Sequence, residues 1–355
     1  MKRGVLGAVV SAVVTALVAA ACTGPGATTT TTGPAGPREV TLITHDSFDV
    51  SKGVLRAFEG SSGIDVTVVP AGDAGQVVNR AILTAGDPEA DVLFGVDDNL
   101  LADALAAGVF LPYASPRLDA VPDTYELDPE HRVTPIDRGD VCVNIDLARF
   151  DYFVPESFED LASPAVDGGL VVENPATSSP GLAFLLATIA EYGDPGFEDY
   201  WADLRANGVR VVDGWEQAYF GEFSGAGGGE GERPLVVSYA TSPVAEIVFA
   251  EEPPATAPTG VIEATCYRQI EFAGILAGTD HETEARALVD FMLSREFQQD
   301  IPLRMFVFPV VDDAVLPQVF VDNAVVPAAP LALDPAAVAA NREDWVQRWT
   351  DVVLR

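Results

Sequence analysis

From about Arg38 onward, short β-rich runs alternate with stretches whose apolar residues recur at helical spacing, and this alternation restricts the fold more than any other feature. Residues 39–43 (EVTLI), 64–69 (IDVTVV) and 91–96 (DVLFGV) read as strands, interleaved with helical spacing over 54–58, 76–85 and 99–107. A second set has strands at 170–173, 209–212 and 235–239, with helices at 180–191 and 215–223. Amphipathic helices follow at 280–293 and 335–354, the last with Trp345, Trp349 and Val353 at i, i+4 and i+8. Strands alternating with helices predict a mostly parallel α/β sheet. Polar residues gather where the strand runs end, which is where open α/β sheets bind ligands. Two such blocks and a return segment predict two lobes with a cleft between them. The glycine-rich stretch 225–232 (GAGGGEGE) reads as a surface loop.

The N-terminus is a targeting segment. Lys2 and Arg3 precede an apolar run from Val5 to Ala21, and Ala19, Ala20 and Ala21 stand directly before Cys22. A charged start, an apolar run and small residues before a cleavage point are the parts of a secretory signal. The run is short for a membrane span. A cysteine at the cleavage point predicts lipidation of Cys22, although Ala19 stands where a lipobox has leucine. Residues 23–37 (TGPGATTTTTGPAGP) contain no large apolar side chain and read as a tether. The expected organisation is a signal peptide at 1–21 and an acylated cysteine with its tether at 22–37. The first part of lobe 1 is then 38–143, lobe 2 is 144–247, and 248–355 returns to lobe 1 with the C-terminal helices.

The formal charge of −34 repels nucleic acid and anionic headgroups and favours approach of a cation, and an acidic proteome would produce the same charge. Cys142 and Cys266 lie in strand-like contexts of an exported body. They are expected to pair, the other reading being two separate buried thiols. Catalytic chemistry is not legible. His45, His131 and His281 are scattered, and neither H-E-x-x-H nor C-x-x-C spacing occurs. G-x-S-x-G, a Walker loop and a dinucleotide fingerprint are also missing. Binding is therefore a better reading than catalysis, and neither metal nor cofactor is implied.

Ordered motifs run through the whole body: Thr44-His45-Asp46-Ser47-Phe48; Asp73 followed by Asn79-Arg80; A-D-V-x-x-G-x-D-x-N-L-L at 90–101; N-P-x-T-S-x-P-G-L at 174–182. They continue with G-W-x-x-A-Y at 214–219, S-Y-x-T-S-P at 238–243, F-Q-x-x-I-P at 297–302 and A-A-x-R-x-x-W at 339–345. In these the chain resembles the thiamine-binding periplasmic protein family, in the iron/polyamine/thiamine class of ABC-importer solute-binding proteins. The resemblance implies a type II-like fold of two α/β lobes joined by crossover strands. It also implies a monomer that delivers thiamine or a thiamine phosphate to permease subunits, anchored by lipid to the outer face of the cell membrane.

By the same resemblance, Asp73 binds the aminopyrimidine, while Trp215 and Tyr239 flank the thiazolium and Tyr219 belongs to the same wall. The residues alone leave alternatives: Asp73 as a solvated turn residue, Trp215 as core packing. Ser178 and Ser179 stand before Pro180 and a helix, where they suit a phosphate or a simple cap. Asp97 and Asn99 could line the cleft or cap the next helix. The chain departs from the family at His45, where a tyrosine is usual, at Ala245, at 49–53, which lacks a tryptophan, and at Met305-Phe306-Val307. Phe306 would replace one lost ring, binding a cation more weakly than indole does. A ferric-ion site would want neighbouring tyrosines, whereas a polyamine site could use Asp46, Asp73 and Asp97. A thiamine-metabolism enzyme on a related fold would need a nucleophile, for which only His45 is a candidate.

Overall fold

The computed structural model describes residues 38–227 and 231–355; the leader, Cys22, the tether and the middle of the 225–232 loop lie outside the described residues. The first block is β1 (Arg38–Thr44), α1 (Lys52–Ser62), β2 (Ile64–Pro70), α2 (Ala74–Leu83), β3 (Val92–Asp97) and α3 (Leu101–Ala106). β1 lies between β2 and β3 and runs parallel to both. Alternation along the strands explains why helices cover both faces. Val40, Leu42, Val92 and Phe94 join one apolar cluster with Phe58 and Leu288, whereas Ile43, Leu93 and Val96 join another with Val77 and Val78.

β4 (Thr134–Asp146) then leads through the single turn α4 (Phe158–Leu161) into the second block. This holds β5 (Leu170–Glu173), α5 (Ser179–Tyr192), α6 (Gly196–Ala206), β6 (Arg210–Val212), β7 (Leu235–Tyr239) and α7 (Ser242–Val248). β5 runs parallel to β6 and β7. α5 is apolar on every side, so it must be enclosed, and every residue from Ser179 to Ile189 is buried. The chain returns through β8 (Thr259–Ile275), α8 (Glu282–Met292), α9 (Arg295–Arg304), β9 (Phe308–Pro309), α10 (Gln318–Asn323) and α11 (Pro335–Val353).

The strand order is β2-β1-β3-β8-β4-β7-β5-β6, with β9 on β4. The expectation of a mostly parallel sheet needs correction. Each block contributes a parallel trio, but the centre is antiparallel, because β4 and β8 pair with each other and with β3, β7 and β9 in that sense. These two strands, 13 and 17 residues long, carry the chain from one trio to the other. Their pairing shifts register between Val141 and Val143, opposite Tyr267 and Ile262. At this irregularity Cys142 and Cys266 are joined in a disulfide. A second difference concerns the helix expected at 215–223. Its body is a π-helical turn, Gln217–Glu222, closed by the Phe223 N–H donating to Ala218 O at 3.1 Å. Wide turns of this kind recur at functional sites.

Candidate functional site

Residues that follow β1, β2, β5 and β6, together with Tyr239 closing β7, line one cleft of about 260 Å³, a small-molecule size. β1 delivers His45. Its ring lies against Phe94 at 5.5 Å between centroids and over Gly95, which has φ 109° and no room for a side chain: a Cβ would stand 2.6 Å from His45 Cδ2. His45 Nε2 is 3.3 Å from Glu271 Oε1 of β8. Burial opposes protonation of this imidazole, but Glu271, Asp73 and Asp46 outweigh it and raise His45 above its ordinary value. Behind Glu271, burial and Glu271 itself push the Asp137 carboxyl well up. Asp46 does not line the cleft. Its Oδ1 accepts from the Gly72 N–H at 3.0 Å, which ties the turn after β1 to the turn after β2.

Asp73 caps α2 and lines the cleft, but its oxygens are already engaged. Oδ1 accepts from the Ala74 N–H at 2.7 Å and the Ser179 N–H at 3.3 Å, and Oδ2 accepts from the Trp215 N–H at 2.8 Å. One carboxylate of the first block thus receives two backbone donors from the second. Burial raises its pKa against the pull of the Trp215 N–H and of His45. Asp97 is fully buried and does not line the cleft. It accepts from the Asn99 and Leu100 N–H groups at 2.7 and 3.1 Å, and Ser179 Oγ donates to it. Burial pushes it up to about 6. Of the two roles open to Asp97 in the sequence, the structure gives it the cap. Asn99 is likewise buried, its Oδ1 accepting from the Tyr267 hydroxyl at 3.3 Å.

Ser178 is buried away from the cleft, and its Oγ has no partner. Ser179 does line the cleft, but its hydroxyl is held between Asp97 and the Gln269 Nε2–H, 2.6 Å away. Trp215 donates through Nε1 to Ser238 Oγ at 2.8 Å and stacks on Tyr219 at 5.0 Å with 20° between planes. The Tyr219 hydroxyl donates to Glu246 Oε1 at 2.7 Å. Tyr239 crosses Gly139, where a Cβ would come 2.8 Å from Tyr239 Cδ1, so only glycine leaves the ring its place. Phe306 lines the cleft in a left-handed conformation at φ 54°, with its carbonyl accepting from the Thr241 hydroxyl.

Several lining residues were not legible in the sequence. Phe220 packs edge-on to Trp215 at 5.6 Å and is 47% exposed. Phe249 meets Phe306 edge-on at 5.4 Å and is 66% exposed. Position 249 lies one helical turn beyond Ala245, which would have been the available signal. The cleft is thus ringed with more aromatic surface than the motifs suggested. Glu216, Glu246 and Glu271 add carboxylates to Asp49 and Asp73, while the cationic groups are His45 and Arg304, and Arg304 is paired with Asp49. Such a site suits a flat-ringed ligand with positive charge, since aromatic faces and carboxylates both attract a cation. Among the described residues, no three His, Cys, Asp or Glu side chains are grouped to hold a metal.

A family model described as bacterial extracellular solute-binding protein matches residues 87–327. The thiamine-binding periplasmic protein of Escherichia coli (strain K12) is 31% identical over 322 residues, covering 89% of this chain and 94% of that protein. A solved periplasmic thiamin binding protein superposes with a TM-score of 0.78 at 29% identity, covering 89% of this chain and 96% of that one. Iron-bound HitA from Pseudomonas aeruginosa shares the fold, with a TM-score of 0.69 at 21% identity and coverage of 89% and 99%.

Proposed function

Because this chain belongs to the bacterial extracellular solute-binding protein family, we propose that it is the thiamine-binding component of an ABC importer, working outside the cytoplasm as a Cys22-acylated lipoprotein. Its similar proteins are solute-binding transport proteins rather than enzymes. The two-lobed fold of its structural neighbours suits closure on a ligand. We divide the body into lobe 1 at 38–143, lobe 2 at 144–247 and a return segment at 248–355, acting as a monomer.

The observation that carries the ligand assignment is the pairing of aromatic walls with carboxylates in one small cleft. Trp215, Tyr239 and the Phe249–Phe306 edge offer ring faces and edges, and Glu216, Glu246 and Glu271 offer negative charge. The thiazolium of thiamine has a fixed charge without N–H donors, so that ring needs aromatic faces and a nearby carboxylate, while the amine of the aminopyrimidine needs an acceptor. A thiamine phosphate would direct its ester toward Arg304 at the cleft wall, whose Nε is buried without a partner. Export and anchoring rest on the sequence of the leader, Cys22 and the tether.

Titration calorimetry on the full chain should give a thiamine Kd of about 1 µM or tighter, accompanied by quenching of tryptophan fluorescence. Trp215→Phe should remove most of that quenching. Folded protein that takes up a polyamine or ferric ion but no thiamine would overturn the assignment. Phe249→Leu keeps the apolar bulk of the edge but removes the ring. Thiamine affinity should then fall about threefold to thirtyfold, the range of a partly desolvated cation–π contact. A neutral thiamine isostere should bind as before; an equal loss for both ligands would show that Phe249 only fills space.

A further inference from the structure

One side chain of the cleft can itself carry positive charge beside a carboxylate. His45 and Glu271 both line the cleft, their side chains 15% and 13% exposed, with His45 Nε2 3.3 Å from Glu271 Oε1. Every charged group facing the imidazole is acidic: Glu271 from β8, Asp73 from the start of α2 and Asp46 from its own turn. Glu216, between β6 and the π-helical turn, is also close enough to respond to His45. Behind Glu271 stand the carboxyls of Asp137 of β4 and Asp97 of β3, both of which Glu271 pushes upward. The Phe94 ring and the Gly95 backbone, which also lie against the imidazole, carry no charge. Arg304, the other cation of the wall, is taken up by Asp49.

A ligand with a fixed positive charge would be drawn to the same carboxylates. Two positive charges cannot share one carboxylate in so confined a space without strong repulsion, and only one of them can be discharged. A thiazolium cannot lose its charge, whereas an imidazolium can. We propose that Glu271 is the counter-ion of the bound cation and that His45 holds its place in the empty cleft, releasing its Nε2 proton to solvent when the cation binds. The inference rests on the cationic-ligand reading above and adds the residue that receives the charge. Its sign follows from linkage. Binding that releases a proton weakens as pH falls through the pKa of the empty-cleft imidazole, by up to tenfold per pH unit, and levels off above it. Since the surrounding carboxylates raise His45 above its ordinary value, the effect extends to higher pH than a free imidazole would give.

The test is calorimetry of thiamine binding to the full chain between about pH 6 and 8.5, each pH in two buffers of different ionisation enthalpy. We expect the binding enthalpy to differ between buffers by up to one released proton per thiamine, and the affinity to climb with pH and then flatten. His45→Gln should abolish the buffer difference and bind thiamine more tightly than wild type near pH 6, a gain that a purely structural histidine would not produce. Glu271→Gln should weaken binding at every pH, including alkaline pH where His45 is neutral. The buffer comparison on the wild-type protein needs no variant, so a misfolded variant leaves it intact. Thiamine binding with no buffer or pH dependence, or a His45→Gln protein that keeps the wild-type slope, would overturn the inference while leaving the thiamine assignment standing. Folded wild-type protein that binds no thiamine at any pH would remove both.

Discussion

Alanine in place of Asp73 is expected to weaken thiamine binding by about a hundredfold or more and to lower the thermal midpoint of the ligand-free protein by about 3–6 °C. Both effects come from one carboxylate. It accepts from the Ala74 N–H at the start of α2 and from the Ser179 and Trp215 N–H groups of the other block. Loss of an N-cap alone costs about 1 kcal/mol. Each partly buried N–H left without an acceptor costs about 1–3 kcal/mol more, unless water reaches it. If Asp73 only touched ligand, the ligand-free midpoint would not move, so scanning calorimetry of the empty protein separates a clasp between blocks from a simple contact. The matched control is Asp65→Ala, an exposed position on β2. Asp98 would be a poor control, because its carboxylate accepts from the Ile270 N–H at 3.1 Å.

The second large effect is expected from the double substitution Cys142→Ala/Cys266→Ala, which should cost about 2–5 kcal/mol of stability. The bond ties residues 124 positions apart and joins β4 to β8 where their register shifts. Closing so long a loop removes much conformational freedom from the unfolded chain. Both sulfurs are fully buried, so reductant should act only once the chain opens, and the double variant is the cleaner test. In denaturant its midpoint should fall, and its m-value should rise because the unfolded state exposes more surface. An unchanged midpoint would mean that the two strands are held in register by their ladder alone.

Much of the scaffold was legible because its signals are local. The β-branched runs of β1, β2 and β3 and the helical spacing of α2, α8 and α11 depend on residues a few positions apart, and the structure has elements at these places. The long connecting strands were not legible. β4 reads TPIDRGDVCVNID, with a proline, a glycine and three aspartates, and it is buried on both faces, so it shows neither alternation nor an apolar run. Two of its polar side chains find partners across the fold: Arg268 donates to Asp140, and Asn144 Nδ2 donates to the Tyr239 carbonyl at 3.0 Å. The π-helical turn after Trp215 has the same apolar spacing as an ordinary helix over so short a span, which is why the expectation there was an α-helix.

The site divides along the same line. The sequence by itself determined which residues stand at the ends of the strands, because strand ends follow from local runs: His45 after β1, Asp73 after β2, Asp97 closing β3, Trp215 after β6 and Tyr239 closing β7. Only the tertiary structure decided what each of them faces. It turned Asp97 inward as a cap, buried Ser178 and used Asp46 to tie two turns together. It set Asp73 against donors 106 and 142 positions away, and it placed Glu271 and Phe249, which no motif marked, in the cleft wall. The physical reason is that backbone periodicity is set by neighbours along the chain. The direction of a carboxylate or an aromatic ring is set by whichever donors, charges and surfaces the closed fold brings within a few ångströms.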